Sequence, residues 1–303
     1  MCGRYALPED PERVGLFFDA NTRIVDAVQP NFNVSPTQTI YVVDEMSNER
    51  LVRNVAWGLV PRWAKDASRA ASLINARCES IAEKPSFREP FVQSRCLIPA
   101  LGWYEWNRPE DGSKIPYFIF QPNQEFTVMA GILEAWKNPE TGEWLRTAAV
   151  VTRDASKAME HIHDRMPVLV DREDWSTWLK GTPDAASSLF MKEHEISSHR
   201  VSMSVNSSRN NGRELIEAVS SEEPDRKILF YSNGNSLFAK RHPNPPFNII
   251  WRPLLNEWQQ DQFATATGGF VGYFSDVDEI SEEVARQLFP AAFEDNVNKL
   301  LLK

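Results

Sequence analysis

As far as about residue 220 the chain runs in short apolar segments, each with Pro, Gly or Asn nearby, and this rhythm limits the fold more than any other feature. The segments 39–44, 52–58, 94–99, 117–121, 127–134, 147–152 and 168–169 are rich in Val, Ile, Phe and Trp. Such branched and aromatic side chains suit a pleated, half-buried surface, and the segments are predicted as strands. Helical stretches are fewer: 11–18 with Asp10 as its N-cap, 80–82, 86–93, 155–162, 171–179 and 185–190. The mixture predicts an α+β domain around a mainly antiparallel sheet with peripheral helices.

Beyond Ser220 the character changes. Ser221-Glu222-Glu223-Pro224-Asp225 reads as a linker, and 228–231 and 247–251 read as strands around the Pro-rich turn 243–246. Ser281 opens a helix signature with Glu282 and Glu283 in its first turn, to be broken at Pro290. The expected organisation is one domain over 1–221 and a C-terminal α/β extension over 222–303 whose role the sequence does not disclose.

Composition narrows the class. With 42% hydrophobic and 25% charged residues over 303 positions, the chain has enough apolar material for an ordinary core. No run approaches the roughly 20 apolar residues of a membrane span, and the N-terminus lacks the apolar stretch of a signal peptide. Three cysteines, Cys2, Cys78 and Cys96, are too few and too odd for a disulfide framework and too scattered for a metal site. Reduced thiols in the cytoplasm (beside the nucleoid), or in the nucleus of a eukaryote, are the expectation, with no cofactor, no metal and no membrane partner. The formal charge of −9 argues against a polyanionic partner. A local basic groove overrides net charge, however, and Arg4, Arg62, Arg77, Arg95, Arg165 and Arg209 cluster near the motifs described next.

Cys2 follows the initiator methionine. Methionine is commonly trimmed before a small residue, and trimming leaves Cys2 with an α-amine beside its thiol. Such a 1,2-aminothiol condenses with an aldehyde to an imine and then closes a five-membered thiazolidine. Unperturbed pKa values of about 8 for the amine and about 8.5 for the thiol leave reactive forms of both near neutrality. A penultimate Cys of no consequence is the alternative.

Other segments decide between the two. In chain order they are Met1-Cys2-Gly3-Arg4-Tyr5, Asn31-Phe32-Asn33-Val34-Ser35-Pro36-Thr37-Gln38, Trp57-Gly58-Leu59-Val60-Pro61-Arg62-Trp63, Asn75-Ala76-Arg77-Cys78-Glu79-Ser80, Arg95-Cys96-Leu97-Ile98-Pro99 running into Gly102-Trp103-Tyr104-Glu105-Trp106, and His163-Asp164-Arg165-Met166-Pro167, closed by Val205-Asn206-Ser207 with Asn210. This set resembles the SRAP family (SOS response-associated peptidase, the YedK and HMCES type) over about residues 1–220. The resemblance implies a distorted antiparallel β-barrel with a positively charged groove. It implies binding of single-stranded DNA at an abasic site and a covalent cross-link to the open-chain sugar aldehyde through Cys2, in a protein expected to act as a monomer. By the same resemblance Cys2 is the nucleophile, Asn75 hydrogen-bonds at the reacting end, Glu105 is the acid/base carboxylate and His163 meets the ring-opened sugar.

Physical chemistry supports these roles independently. Glu105 lies between Tyr104 and Trp106, where desolvation raises a carboxylate toward useful acid/base values. His163 can donate to the sugar oxygen released on ring opening. Asn75 can orient the Cys2 amine through its amide oxygen. Each has a plain alternative: Glu105 pairing an arginine such as Arg95, His163 joining Asp164 and Arg165 in a surface ion cluster, Asn75 capping a turn. For DNA contact the expected residues are Gly3, Arg4, Pro36, Trp63, Arg77 and Arg165, the arginines on phosphates and Trp63 stacking on bases. Trp57, Trp103 and Trp106 read as core, Cys78 and Cys96 as buried small hydrophobes, and His161 as unrelated to His163. Leu101 stands where relatives often carry a polar residue, which reads as a packing change. A cysteine peptidase of the N-terminal-nucleophile kind, a strand-cleaving lyase and a non-covalent single-strand binding module are the rival functions.

Overall fold

The computed structural model describes residues 2–22, 28–109 and 114–219, and beyond them 228–232, 237–241, 248–252, 257–260, 278–280, 285–287 and 290. Its strands up to residue 219 are β1 (Tyr5–Ala6), β2 (Asn21–Thr22), β3 (Thr39–Met46), β4 (Glu49–Trp57), β5 (Asn75–Arg77), β6 (Arg95–Ala100), β7 (Gly102–Asn107), β8 (Ile115–Phe120), β9 (Thr127–Lys137), β10 (Trp144–Asp154), β11 (Arg165–Pro167) and β12 (Ser197–Arg200). The α-helices are α1 (Pro11–Phe18), α2 (Arg88–Gln93), α3 (Trp175–Lys180) and α4 (Pro183–Ser187).

Ser47 and Asn48 both take positive φ, 52° and 65°. That is the left-handed conformation a tight hairpin demands and short polar residues tolerate. They join β3 to β4, paired antiparallel from Thr39↔Ala56 to Met46↔Glu49. From there a ring closes. β3 meets β6 at Val43↔Leu97, β6 runs antiparallel to β9, β9 turns into β10, and β10 returns to lie parallel to β4 at Thr147↔Ala56. Five strands thus form a closed barrel, which leaves none of them with an open edge. Every residue of β6 is buried, as is the stretch 147–153 of β10, so their apolar runs are continuous rather than alternating. Gly131 is required where β9 crosses β6: a Cβ there would stand 2.8 Å from Cys96 Sγ and 2.7 Å from Ile98 Cδ1.

A second sheet, β1-β7-β8-β12, packs beside the barrel. β7, which the sequence reading does not assign as a strand, is its centre. Trp103 faces the barrel core, and Tyr104 belongs to a separate core with Ala6, Phe32, Phe118, Val201, Val205 and Leu215. Leu101 packs against both cores, in keeping with a packing role. Trp57, Trp103, Trp175 and Trp178 are fully buried. Trp57 donates to the Ile74 carbonyl at 3.1 Å and meets Tyr5 edge-on at 5.2 Å, tying β1 to the barrel. Truncating such a residue to Ala typically costs about 3–5 kcal/mol.

Helix α1 matches its prediction, with Asp10 Oδ1 accepting from the Glu12 N–H at 2.9 Å. The predicted helix 155–162 is corrected to a series of turns. The physical reason is closure: Asp154 pairs with Arg165 and the Ala155 N–H donates to Asp164 O at 2.9 Å. The loop 155–164 therefore has to leave β10 and return in register to β11, which leaves no length for a regular helix.

The chain groups into two compact units, Met1–Val219 and Ser220–Lys303. In the second, β13 (Ile228–Ser232), β14 (Leu237–Arg241), β15 (Asn248–Arg252), β16 (Glu257–Gln260) and β17 (Asp278–Ile280) form an antiparallel sheet in the order β16-β15-β14-β13-β17. Residues 285–287 are helical, whereas Ser281, predicted to open that helix, and the linker 221–225 lie outside the described residues. Among the described residues no helix is long and apolar enough to cross a membrane.

Candidate active site

Antiparallel pairing of β1 with β7 delivers the N-terminus to the site. Tyr5 lies opposite Trp103, and one step back the Tyr104 N–H donates to the Arg4 carbonyl at 2.9 Å. The chain then runs through Gly3 to Cys2 alongside Glu105. Cys2 is buried, and its thiol is held well above the ordinary thiol range, chiefly by burial and then by the Glu105 charge. A bridge between Tyr5 and Val34 anchors the segment that leads into Ser35 and the half-buried Pro36.

Asn75 opens β5, which lies parallel to β10 at Val150↔Asn75. Its Nδ2 donates to the Cys2 carbonyl oxygen at 2.8 Å. The sequence reading has the amide oxygen orient the amine. In the structure it is the amide nitrogen that is engaged, and Asn75 Oδ1 is buried without a hydrogen-bond partner among the described residues.

Glu105, on β7, is only 2% exposed. Burial pushes its carboxyl up to about 7, against the opposing pull of the positive chain terminus. Oε2 lies 3.8 Å from His163 Nε2. His163 Nδ1 is approached by two groups, the Arg165 backbone N–H at 3.0 Å and the exposed Asp164 carboxylate at 2.9 Å. A backbone N–H cannot reorient, whereas an exposed carboxylate can, so Nδ1 is assigned as an acceptor and the ring proton to Nε2, facing Glu105. Burial, with the positive chain terminus second, lowers the His163 pKa and keeps the ring neutral. Arg95 takes no part: it donates to the carbonyls of Phe91, Trp178 and Gly181 at two helix ends.

Glu105 and His163 open on a cleft of about 660 Å³, also lined by Trp106, Arg108, Lys114 and His161. Lys114 Nζ stands 4.5 Å over the Trp106 ring. Burial, then the charges of Arg108 and Arg4, lowers the Lys114 pKa.

The sequence-predicted DNA contacts fall into two groups. Arg77 is exposed, and Trp63, 63% exposed, borders a second hollow of about 250 Å³. Arg4 and Arg165 are tied inward. Arg4 donates to Asn33 Oδ1 at 2.8 Å and to Val205 O at 3.2 Å. The Arg165 guanidinium, 7% exposed, donates to Glu79, Asp154 and the Thr152 carbonyl. It thereby ties the turn after β5, and so the Asn75 strand, to the strand that follows His163.

Sequence reasoning assigns no role to Asn33, Arg108 or Lys114. Asn33, buried within the Asn31–Gln38 motif, donates through Nδ2 to the carbonyls of Val205, Ser207 and Asn210 at 3.3, 2.9 and 2.9 Å. It clamps the closing segment against Arg4, which explains why both motifs accompany the site. Its place inside a polar motif was the available signal.

Over residues 1–208 the chain matches the family described as SOS response associated peptidase (SRAP). The chain belongs to the SRAP family. Among its SRAP relatives, abasic site processing protein YoqW of Bacillus subtilis is 40% identical over 225 residues, 72% of this chain and 100% of that protein. Abasic site processing protein HMCES of Xenopus tropicalis is 31% identical, over 88% of this chain and 94% of that protein. The solved structure of a Bacteroides thetaiotaomicron protein shares the SRAP fold, with a TM-score of 0.66 at 24% identity over 72% of this chain and 100% of that one.

Proposed function

We propose that this chain captures abasic sites in DNA, preferentially single-stranded, by forming a thiazolidine through Cys2 once Met1 has been removed. The carrying observation is a chain of neighbours: Asn75 holds the Cys2 carbonyl, the buried Cys2 thiol feels the Glu105 charge, and Glu105 and His163 line one cleft. Membership of the SRAP family and the names of its relatives support the same substrate. The domain at work is 1–221, acting as a monomer without cofactor, in the cytoplasm beside the nucleoid or, in a eukaryote, in the nucleus. The extension 222–303 is left without an assigned role.

In this reading Glu105 takes the proton of the sugar's anomeric hydroxyl and passes it to the departing ring oxygen, which His163 Nε2–H holds by a hydrogen bond, so the hemiacetal opens to an aldehyde and a free hydroxyl. The Cys2 amine, in its neutral form, adds to the carbonyl and expels water, giving an imine. The buried thiol is protonated, so it follows rather than leads. Sulfur adds to the imine carbon, its proton passes by way of Glu105 to nitrogen, and the ring closes with net loss of one water. A carboxyl near 7 takes and returns protons with equal ease at neutral pH. Strand scission by β-elimination from the imine, and peptide cleavage that frees Cys2 itself, are side activities of the same groups.

The experiment is a denaturing gel of protein, checked by mass spectrometry for loss of Met1, with an oligonucleotide carrying one abasic site. The expected result is a covalent band, stronger with single strands than with duplex and absent for Cys2→Ala. An equal band from the alanine variant sinks the mechanism, and release of peptide without any adduct favours the peptidase reading.

A further inference from the structure

Glu105 and Asn107 lie two apart on β7 and so project from one face of the strand. Across from them, the loop 155–164 presents His163 and His161, also two apart. Glu105 Oε2 meets His163 Nε2 at 3.8 Å, and Asn107 Nδ2 donates to the His161 carbonyl at 2.7 Å. The His161 ring stands edge-on to Tyr117 at 6.4 Å and 86°, and Tyr117 is the β8 partner of Glu105. Strand and loop therefore engage at two successive rungs, one chemical and one mechanical.

We propose that Asn107 is a positioning residue whose bond to the His161 carbonyl fixes the height of the loop over β7 and holds His163 Nε2 within reach of Glu105. The loop 155–164 is a series of turns whose own backbone bonds, such as the His163 N–H to the Met159 carbonyl at 3.1 Å, stay within the loop and do not set its height over β7. A misplacement of about 1 Å in a reacting group typically costs up to about 10²-fold in rate, so a single amide bond at the adjoining rung has leverage on the chemistry. His161, whose position relative to His163 speaks against a shared catalytic pair, acquires a purpose as the handle. The inference rests on Glu105 and His163 being the proton-transfer pair proposed above.

The test compares Asn107→Asp, which keeps the shape but lacks the N–H, with Asn107→Ala and Asn107→Gln. Single-turnover cross-linking at saturating abasic DNA should slow about tenfold in the Asp and Ala variants, with the pH midpoint displaced, because the loop that carries His163 no longer sits at a fixed height over Glu105. Asn107→Gln, with its amide one methylene further out, should recover part of the rate. Binding to a strand carrying a tetrahydrofuran analogue, which has no aldehyde, should be unchanged. In wild type the ring ¹⁵N shifts of His163 should report the Nε2–H tautomer, and in the Asp and Ala variants they should move. Wild-type rates and pH profiles in both variants overturn the proposal, as does a lower rate accompanied by lost DNA binding and an unmoved midpoint. If wild type forms no adduct at all, the functional reading fails instead, while the histidine shifts still decide whether Asn107 sets the position of His163. Should Ala or Asp fail to fold, the other carries the comparison, with Asn107→Leu, which also lacks the amide, in place of the lost variant.

Discussion

Asn75 holds Cys2 by its carbonyl oxygen, at 2.8 Å, and so fixes the backbone of the residue without occupying its sulfur. An aminothiol has to present nitrogen and sulfur in turn to one carbon, and a grip on the third polar group of the residue leaves both available. In Asn75→Ala the cross-linking rate at saturating DNA should fall roughly 10- to 100-fold, with affinity for the tetrahydrofuran analogue kept within about threefold. Rapid-quench gels provide the rate, and an unchanged value removes Asn75 from the site.

Glu105 links activity to stability through one proton. Its folded pKa of about 7 lies above the ordinary 4.5, so the folded protein binds this proton more tightly than the unfolded chain does. The stabilisation is fully present below 4.5 and is lost as pH rises through 7. A shift of this size corresponds to about 3 kcal/mol. Glu105→Gln should therefore raise the melting temperature at pH about 8 more than at pH about 5, while slowing cross-linking at every pH and flattening its rise through neutrality. Calorimetry at the two pH values checks this, and equal changes at both would refute the assignment.

Arg165 and Arg77 should separate cleanly. Arg165 is spent on Glu79, Asp154 and a backbone carbonyl, so Arg165→Ala should cost about 1–3 kcal/mol of stability. Arg77 is exposed, so Arg77→Ala should leave the melting temperature in place. It should also weaken single-strand binding and reduce the salt slope by about 1. Salt titrations of both variants decide, and a slope lowered by Arg165→Ala alone reverses the assignment.

Trp63 is largely exposed and borders a hollow near the barrel. Base stacking on it is worth about 1–3 kcal/mol. Trp63→Ala should accordingly weaken non-covalent binding of undamaged single strands about tenfold or more without altering thermal stability. Fluorescence titration measures this, and unchanged affinity eliminates the stacking role.

Where the sequence failed as a guide, one physical cause recurs: a partner distant along the chain. The barrel strands were legible because β3, β4, β6, β9 and β10 keep dense branched and aromatic runs between turn residues. β7 was not, because Trp103 serves one core and Tyr104 the other, and a strand buried on both faces loses its alternation. The 155–162 stretch has helix-compatible residues, but hairpin closure overrides them. Asn33 looks like a turn residue until Val205, Ser207 and Asn210 arrive from the far end of the domain. Cys2, Asn75, Glu105 and His163 were all named from motifs. Their sequence separations, however, said nothing of the tautomer of His163 or of which end of the Asn75 amide is engaged.

The burial of the Cys2 thiol has one more consequence. In the proposed reaction the protein ends covalently attached to DNA, turns over once, and has to survive intact until then. A thiol withdrawn from solvent and held in its protonated form is a poor target for oxidants, disulfide exchange and stray small aldehydes. The pocket that slows sulfur as a nucleophile thus gives the unreacted protein its shelf life.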